Sequence, residues 1–398
     1  MAARRPGVFG PARLARRIGA VLAAMLLCAC AAAPRPAAST ASFSLRFIGE
    51  QRIAHRQPFQ GTVVGGLSSI DYDERSGSWV LASDDRSEIG PARFYTARLD
   101  FDEHHFGGLA LTGQYQFRRA DGSVYPAPAR TLLAQHGAEV ADIEAMRVDP
   151  QDGSLWYASE GSRTLGADPF VKRADRDGAQ LARLALPAMF KTDPQRQMGP
   201  RNNLSFEGMT FAPGGQSLWL GMEAPLYQDG APAGPEHGAL SRFTQLDRSG
   251  EVLAQYAYAS DPVQGKPAPG RYGDNGVSEI LALDRQHLLA LERSGVQNAD
   301  GRFVFHIRLY EVELQGATAI AALPALADVA VQPLRKRLVL DFDAAGLDKV
   351  DNLEGMSWGP LLANGHASLV LVSDDNFSPD QVTQLLAFEV VSHSSARR

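Results

Sequence analysis

Apolar residues along this chain fall into short runs that come in pairs, with turn chemistry between the two members of each pair. One pair is Met146 to Val148 followed by Leu155 to Ala158, joined through Asp149-Pro150-Gln151-Asp152-Gly153. Comparable turns stand at Asp73-Glu74-Arg75-Ser76-Gly77 and at Ala212-Pro213-Gly214-Gly215. Gly, Pro and Asp at such places favour tight reversals between antiparallel strands. Other segments alternate polar and apolar positions, among them Arg93 to Leu99, Phe305 to Tyr310 and Gln384 to Val390. That period of two predicts strands with one face more exposed. No segment beyond the first thirty residues keeps a helical period, so the pattern predicts an all-β domain.

The pairs repeat. Asp142-Ile143-Glu144-Ala145-Met146 runs to Ala158-Ser159-Glu160, and Ser205-Phe206-Glu207-Gly208-Met209 runs to Gly221-Met222-Glu223. Ser278-Glu279-Ile280-Leu281 leads to Ala290-Leu291-Glu292, and Asn352-Leu353-Glu354-Gly355-Met356 to Val372-Ser373-Asp374-Asp375. A degenerate first copy, Gly66-Leu67-Ser68-Ser69-Ile70 to Ala82-Ser83-Asp84-Asp85, has Ser68 where the others have Glu. With Ser68, Glu144, Glu207, Glu279 and Glu354 taken as equivalent, the spacing is 63 to 76 residues. Self-similarity of this kind implies a repeat architecture, and the domain is too long for a single sandwich. A β-propeller of five blades is the direct reading, with six the alternative count. An extra strand at Phe43 to Ile53 is expected to pair with Gln384 to Val390 and close the ring. Long inserts at 187–203, 224–238 and 259–276 are expected after the second strands of their repeats, where they would cover a site or simply be tolerated at the rim.

Residues 1–30 change the picture of where the domain resides. Five arginines precede an apolar stretch from Ile18 to Leu27, the layout of an export signal and too short for a spanning helix. Leu27-Cys28-Ala29-Cys30 matches a lipobox, which makes Cys30 the expected lipid-bearing residue, with an ordinary cleaved signal as the alternative. Residues 31–42, rich in Ala, Pro and Ser, read as a flexible tether, and 43–392 as the domain. The expected location is the periplasm or the outer membrane, with the lipid as the sole membrane contact. Both cysteines lie in the leader, so the domain has neither disulfide nor thiolate metal site. The whole chain carries a formal charge of −6, and the domain is more acidic still once the leader arginines are removed. Nucleic acid is therefore not an expected partner. A monomer acting on a small anionic molecule is.

In a propeller the innermost strands line the axis, so Glu144, Glu207, Glu279 and Glu354 are expected to meet at one mouth. Crowded carboxylates repel and take up protons or a cation, and hard oxygen ligands favour Ca²⁺. The carboxylates that close the neighbouring strands, Asp84, Glu160 and Asp374 among them, form a possible second tier, as do Asp85, Glu223, Glu292 and Asp375. Alternatively these side chains pair with backbone amides or with Arg and Lys and simply hold the ring together. Arg86, Arg163 and Arg293 closely follow closing carboxylates and are candidates for anion binding. Gly355-Met356-Ser357-Trp358-Gly359 matches the G-x-S-x-G pattern of serine esterases, but it lies in a repeated β motif rather than a strand-turn-helix elbow.

The blocks Asn203-Leu204-Ser205-Phe206-Glu207-Gly208-Met209-Thr210, Asp142 to Met146 and Asn352 to Ser357, together with strand ends in Ser-Asp-Asp or Ser-Glu, resemble the phytase-like family of exported bacterial proteins with esterase-like activity. The resemblance runs from about Gly61 to Val390. It implies a propeller related to calcium-dependent phytases and hydrolysis of phosphoric esters, with Glu144, Glu207, Glu279 and Glu354 as candidate ligands and Asp84, Glu160 and Asp374 behind them. The D-A-x-D-D-P-A-x-W block of the characterised propeller phytases has no counterpart here; the nearest feature is Ser83-Asp84-Asp85-Arg86. Three functions therefore stand: a Ca²⁺-dependent phosphoesterase, a cation-dependent lactonase or carboxylic esterase, and a non-catalytic propeller that binds a periplasmic ligand or protein.

Overall fold

A computed structural model describes residues 43–126 and 139–392; the leader, Cys30 and the tether fall outside the described residues. Five four-stranded antiparallel sheets account for almost all of the regular structure. Blade 1 comprises Leu67–Asp73, Ser78–Ser83, Arg93–Phe101 and Phe106–Gln116, and blade 2 comprises Ile143–Val148, Leu155–Ser159, Phe170–Ala174 and Gln180–Arg183. Blade 3 is built from Phe206–Phe211, Ser217–Met222, Ala239–Asp247 and Val252–Ser260. Blade 4 is built from Gly273–Ala282, His287–Gln297, Phe303–Glu313 and Arg335–Asp341. Blade 5 takes Leu353–Trp358, Ser368–Ser373 and Thr383–Ser392 from the end of the domain, and its fourth strand, Phe43–Ile53, from the beginning. That last pairing runs from Phe43 opposite Ser392 to Ile53 opposite Thr383. The innermost strands abut one another around the whole circle, blade 5 meeting blade 1. The fold is a closed five-bladed β-propeller, as the repeat count predicts.

Apolar side chains do not gather at one centre. They form five layers, one between each pair of adjacent blades, because every blade is covered on both faces by its neighbours. Met146, Met209 and Met356 are fully buried in these layers, with Ile70 and Ile280 at the matching register. A sheet covered on both faces has no reason to alternate, hence the continuous apolar runs Val80 to Ala82, Leu288 to Leu291 and Leu369 to Val372. The expected turns form: the Gly77 and Gly153 amides donate to the Asp73 and Asp149 carbonyls, and both glycines take positive φ. At such angles a Cβ would be strained.

The inserts differ in placement from expectation. Residues 224–238 do follow a second strand, but 187–203 and 259–276 follow the fourth strands of blades 2 and 3. In an antiparallel blade, the connection after strand two and the connection after strand four emerge at the same end. All three inserts therefore crowd one mouth of the propeller, the mouth at which the first strands begin.

Candidate functional site

The position of each carboxylate depends on a bulge near the start of every innermost strand. The register slips at Ser68, at Glu144, at Glu207 and at Glu354, and in blade 4 it slips at Ser278. The structural counterpart of Glu144 in blade 4 is therefore Ser278, one residue before the glutamate that the repeat spacing selects. The second strands agree: the amides of Asp84, Glu160, Glu223 and Asp374 donate to the carbonyls of Gly66, Asp142, Ser205 and Asn352, and Arg293 lies opposite Gly276 in blade 4. At the three equivalent positions facing the mouth blade 4 supplies Gly276, Ser278 and Arg293, sharing Gly and Ser with blade 1 but placing an arginine where the other four blades have a carboxylate. The glycine makes room, since a Cβ on Gly276 would stand 2.4 Å from Glu223 Cγ.

Eight carboxylates converge here: Asp84, Asp142, Glu144, Glu160, Glu207, Glu223, Glu354 and Asp374. All but Asp84 are buried, and most line a cavity of about 540 Å³. Burial raises the pKa of every one, and mutual repulsion adds to it for most; Asp142 and Glu223 are each pushed up to about 7. Two groups of three stand out. Ligand atoms of Asp142, Glu144 and Glu160 lie within 4.8 Å of one another, and so do those of Glu160, Glu207 and Glu223. Glu160 belongs to both. Its Oε1 accepts the Ser205 amide, while its Oε2 is buried without a hydrogen-bond partner. An orphaned carboxylate oxygen among acids is costly unless a proton or a cation meets it, and an all-oxygen donor set of this density suits a hard divalent cation.

Two guanidinium groups offset this charge. Arg293 lies between Glu354 and Glu223, 2.7 Å from the latter, and also donates to Asn352. Arg86 stands at the rim with its side chain about 40% exposed, 3.5 Å from Asp142 and 3.4 Å from Asn203.

The other predicted residues are placed elsewhere. Glu279 lies deeper, on the propeller axis, 2.6 Å from Arg147 and fully buried. The one-residue slip in blade 4 turns it away from the mouth. Arg163 does not approach the carboxylates: it donates to the carbonyls of Asp193, Arg196, Met198 and Pro200, and its guanidinium lies 4.3 Å from the centre of the Tyr227 ring. It organises the 187–203 insert. Asp85 is paired with buried Arg93, and Glu292 accepts from Tyr258, Asn275 and Lys336. Ser357 donates to Asp71 Oδ1 at 2.9 Å, close to the axial arginine. Conversely, Asp142, named only as the opening residue of its motif, joins the centre as a full member, and so does Glu223, expected only in the wider second tier. Asp142 opens its repeat and Glu223 closes one, so the signal was present. Tyr272, Asp274, Phe303 and Phe305 also line the mouth, and no motif marks them.

A family model described as "Phytase-like: Esterase-like activity of phytase" matches residues 62–377. No curated protein matches the chain. Among solved structures, the N-terminal domain of Nup159 is 11% identical with a TM-score of 0.35, covering 89% of this chain and 98% of that one. A putative 6-phosphogluconolactonase from Bacteroides uniformis is 13% identical with a TM-score of 0.29, covering 77% of each chain. Likenesses this weak carry no argument.

Proposed function

Since the chain belongs to the phytase-like family, we propose that its carboxylate mouth is the active site of a divalent-cation-dependent phosphoric ester hydrolase, with calcium as the cation. The observation that carries this reading is Glu160, shared by two groups of three carboxylates and retaining a buried oxygen with no partner. Asp142, Glu144, Glu207 and Glu223 would hold the cation together with Glu160. When bound, calcium supplies positive charge against the phosphate oxygens and eases deprotonation of water.

The chain's own groups do the rest. Arg86, at the rim and only loosely tied, meets the incoming phosphate. Arg293 and Asn352 hold Glu354 in place. Asp84, outside both groups of three and on the wall of the mouth, takes a proton from the attacking water. As the bond from water oxygen to phosphorus forms, the bond from phosphorus to the alcohol oxygen breaks, and the proton passes to that oxygen to leave an alcohol and phosphate. A lactonase or carboxylic esterase is the second reading, favoured by the commitment of Arg293 to carboxylates, which leaves Arg86 as the loosely held arginine of the mouth. Export and lipid attachment at Cys30 complete the proposal and rest on the leader motif.

The test is calcium binding and turnover by the domain from residue 43 onward. Free calcium at about 100 times its dissociation constant should raise stability by about 2.7 kcal/mol, and hydrolysis of phosphate monoesters should vanish on chelation. Glu160→Gln is expected to abolish both. A domain whose melting is indifferent to calcium and to chelator overturns the reading and leaves a binding propeller in its place.

A further inference from the structure

The mouth is not equally acidic all round. Blade 4 contributes no carboxylate at the three equivalent positions, its one acid on the wall being Asp274, which accepts from the Tyr272 hydroxyl at 2.9 Å, and the same side carries an aromatic wall. Tyr272 and Phe303 are 51% and 41% exposed, and both line the cavity with Phe305 and Gly295. Phe303 stacks on Phe305 at 5.9 Å, and Tyr272 meets Phe303 edge-on at 6.4 Å. Bulky apolar side chains left open beside a polar site mark a surface that a ligand covers. Phe303 also borders a second cavity of about 410 Å³, together with Arg302, Ser378 and Gln381. The last two belong to the mouth as well. The space over the Phe303 ring therefore continues outward from the carboxylates.

Charge limits what fits. Nine carboxylates, Asp274 of blade 4 among them, face Arg86 and Arg293, and Arg293 is fully engaged. A single phosphate beside an uncharged flat group would meet both halves of the site.

Resting on the phosphoesterase reading above, we propose that the substrate is a phosphate monoester whose alcohol carries an aryl group, that group stacking on Phe303 and Tyr272. Ring stacking of this kind adds a modest, specific increment to burial of the ring.

The experiment uses inert analogues, so that binding is read without turnover. Affinities of the calcium-loaded protein for 1-naphthylmethylphosphonate and methylphosphonate are measured by calorimetry in buffer with calcium held in excess. The naphthyl compound should bind about tenfold more tightly than methylphosphonate. In Phe303→Ala the naphthyl-to-methyl ratio should fall toward one, and Phe303→Tyr should restore it. Equal binding of the two phosphonates, or a ratio unmoved in Phe303→Ala, would overturn the aryl assignment while leaving the phosphoesterase reading intact. No calcium-dependent binding of either phosphonate would overturn that reading, and the aryl assignment with it.

Discussion

Arg147 holds the axis of the molecule in a way that a list of charged residues does not reveal. Its guanidinium donates to Glu279 and to the carbonyls of Ile70, Met209 and Met356 at 2.6 to 3.1 Å, with those of Met146 and Ile280 at 3.4 Å. Those five carbonyls come one from each blade. A planar group with five N–H donors in a fixed fork is suited to such a place, and a lysine is not. Removing it leaves Glu279 Oε2 and several carbonyls buried without the partner it supplies. Arg147→Met should therefore cost about 3–5 kcal/mol, more than Glu279→Gln, which keeps one acceptor oxygen for the Met209 and Ile280 amides and should cost about 1–3 kcal/mol. Denaturant midpoints at neutral pH rank the two. A smaller loss for Arg147→Met would show that the axial bonds are not what holds the blades together.

Among the elements, Phe43–Ile53 matters most for the ring. Blade 5 owes its fourth strand to it, and Phe43, Ile48 and Ile53 bury their side chains in two of the inter-blade layers. A chain starting after Ile53 exposes the edge of Thr383–Ser392, which is a template for another strand. Its thermal unfolding should lose cooperativity, and a peptide spanning residues 43–53 should restore it; a sharp transition without the peptide would refute strand closure as the source of cooperativity. The 187–203 insert depends instead on Arg163. Arg163→Met should free the insert at a cost of about 2 kcal/mol, seen as new proteolytic cleavage between residues 187 and 203 with the rest of the domain intact. Unchanged cleavage would mean that the insert is held by other contacts.

At the scale of the whole molecule, the acidic mouth sets how stability responds to pH. Asp142 and Glu223 are pushed up to about 7 in the folded state, mainly by burial, against about 4 for an exposed carboxyl. Between those values the folded protein binds more protons than the unfolded chain, so without divalent cations stability falls as pH rises toward 7. Below about pH 4 the contribution is fully present. Calcium requires the deprotonated carboxylates, so with excess calcium the trend should reverse and stability should rise over the same interval. Calorimetric melting at pH 4.5 to 7.5, with chelator and then with calcium, checks both signs. A midpoint that rises with pH in chelator would contradict the crowding of carboxylates at the mouth.

Much of this was legible along the chain. Turns such as Asp149 to Gly153 act locally, and a motif recurring from Asp142 to Glu354 reports five similar blades however they are arranged in space. The all-β class, the ring closure and most of the carboxylates followed from such local signals. Three matters were decided only in three dimensions. A bulge at Ser278 exchanged the facing of two adjacent residues, taking Glu279 to the axis and bringing Arg293 to the mouth. Because strands alternate faces with a period of two, a one-residue slip reverses every side chain beyond it. Arg163 and Arg147 found partners far along the chain, which spacing does not encode. The aromatic wall was assembled from Tyr272, just before the first strand of blade 4, and from Phe303 and Phe305 in its third. Local pattern specifies strands and turns; which side chains share a cavity depends on register and closure, and those are properties of the whole ring.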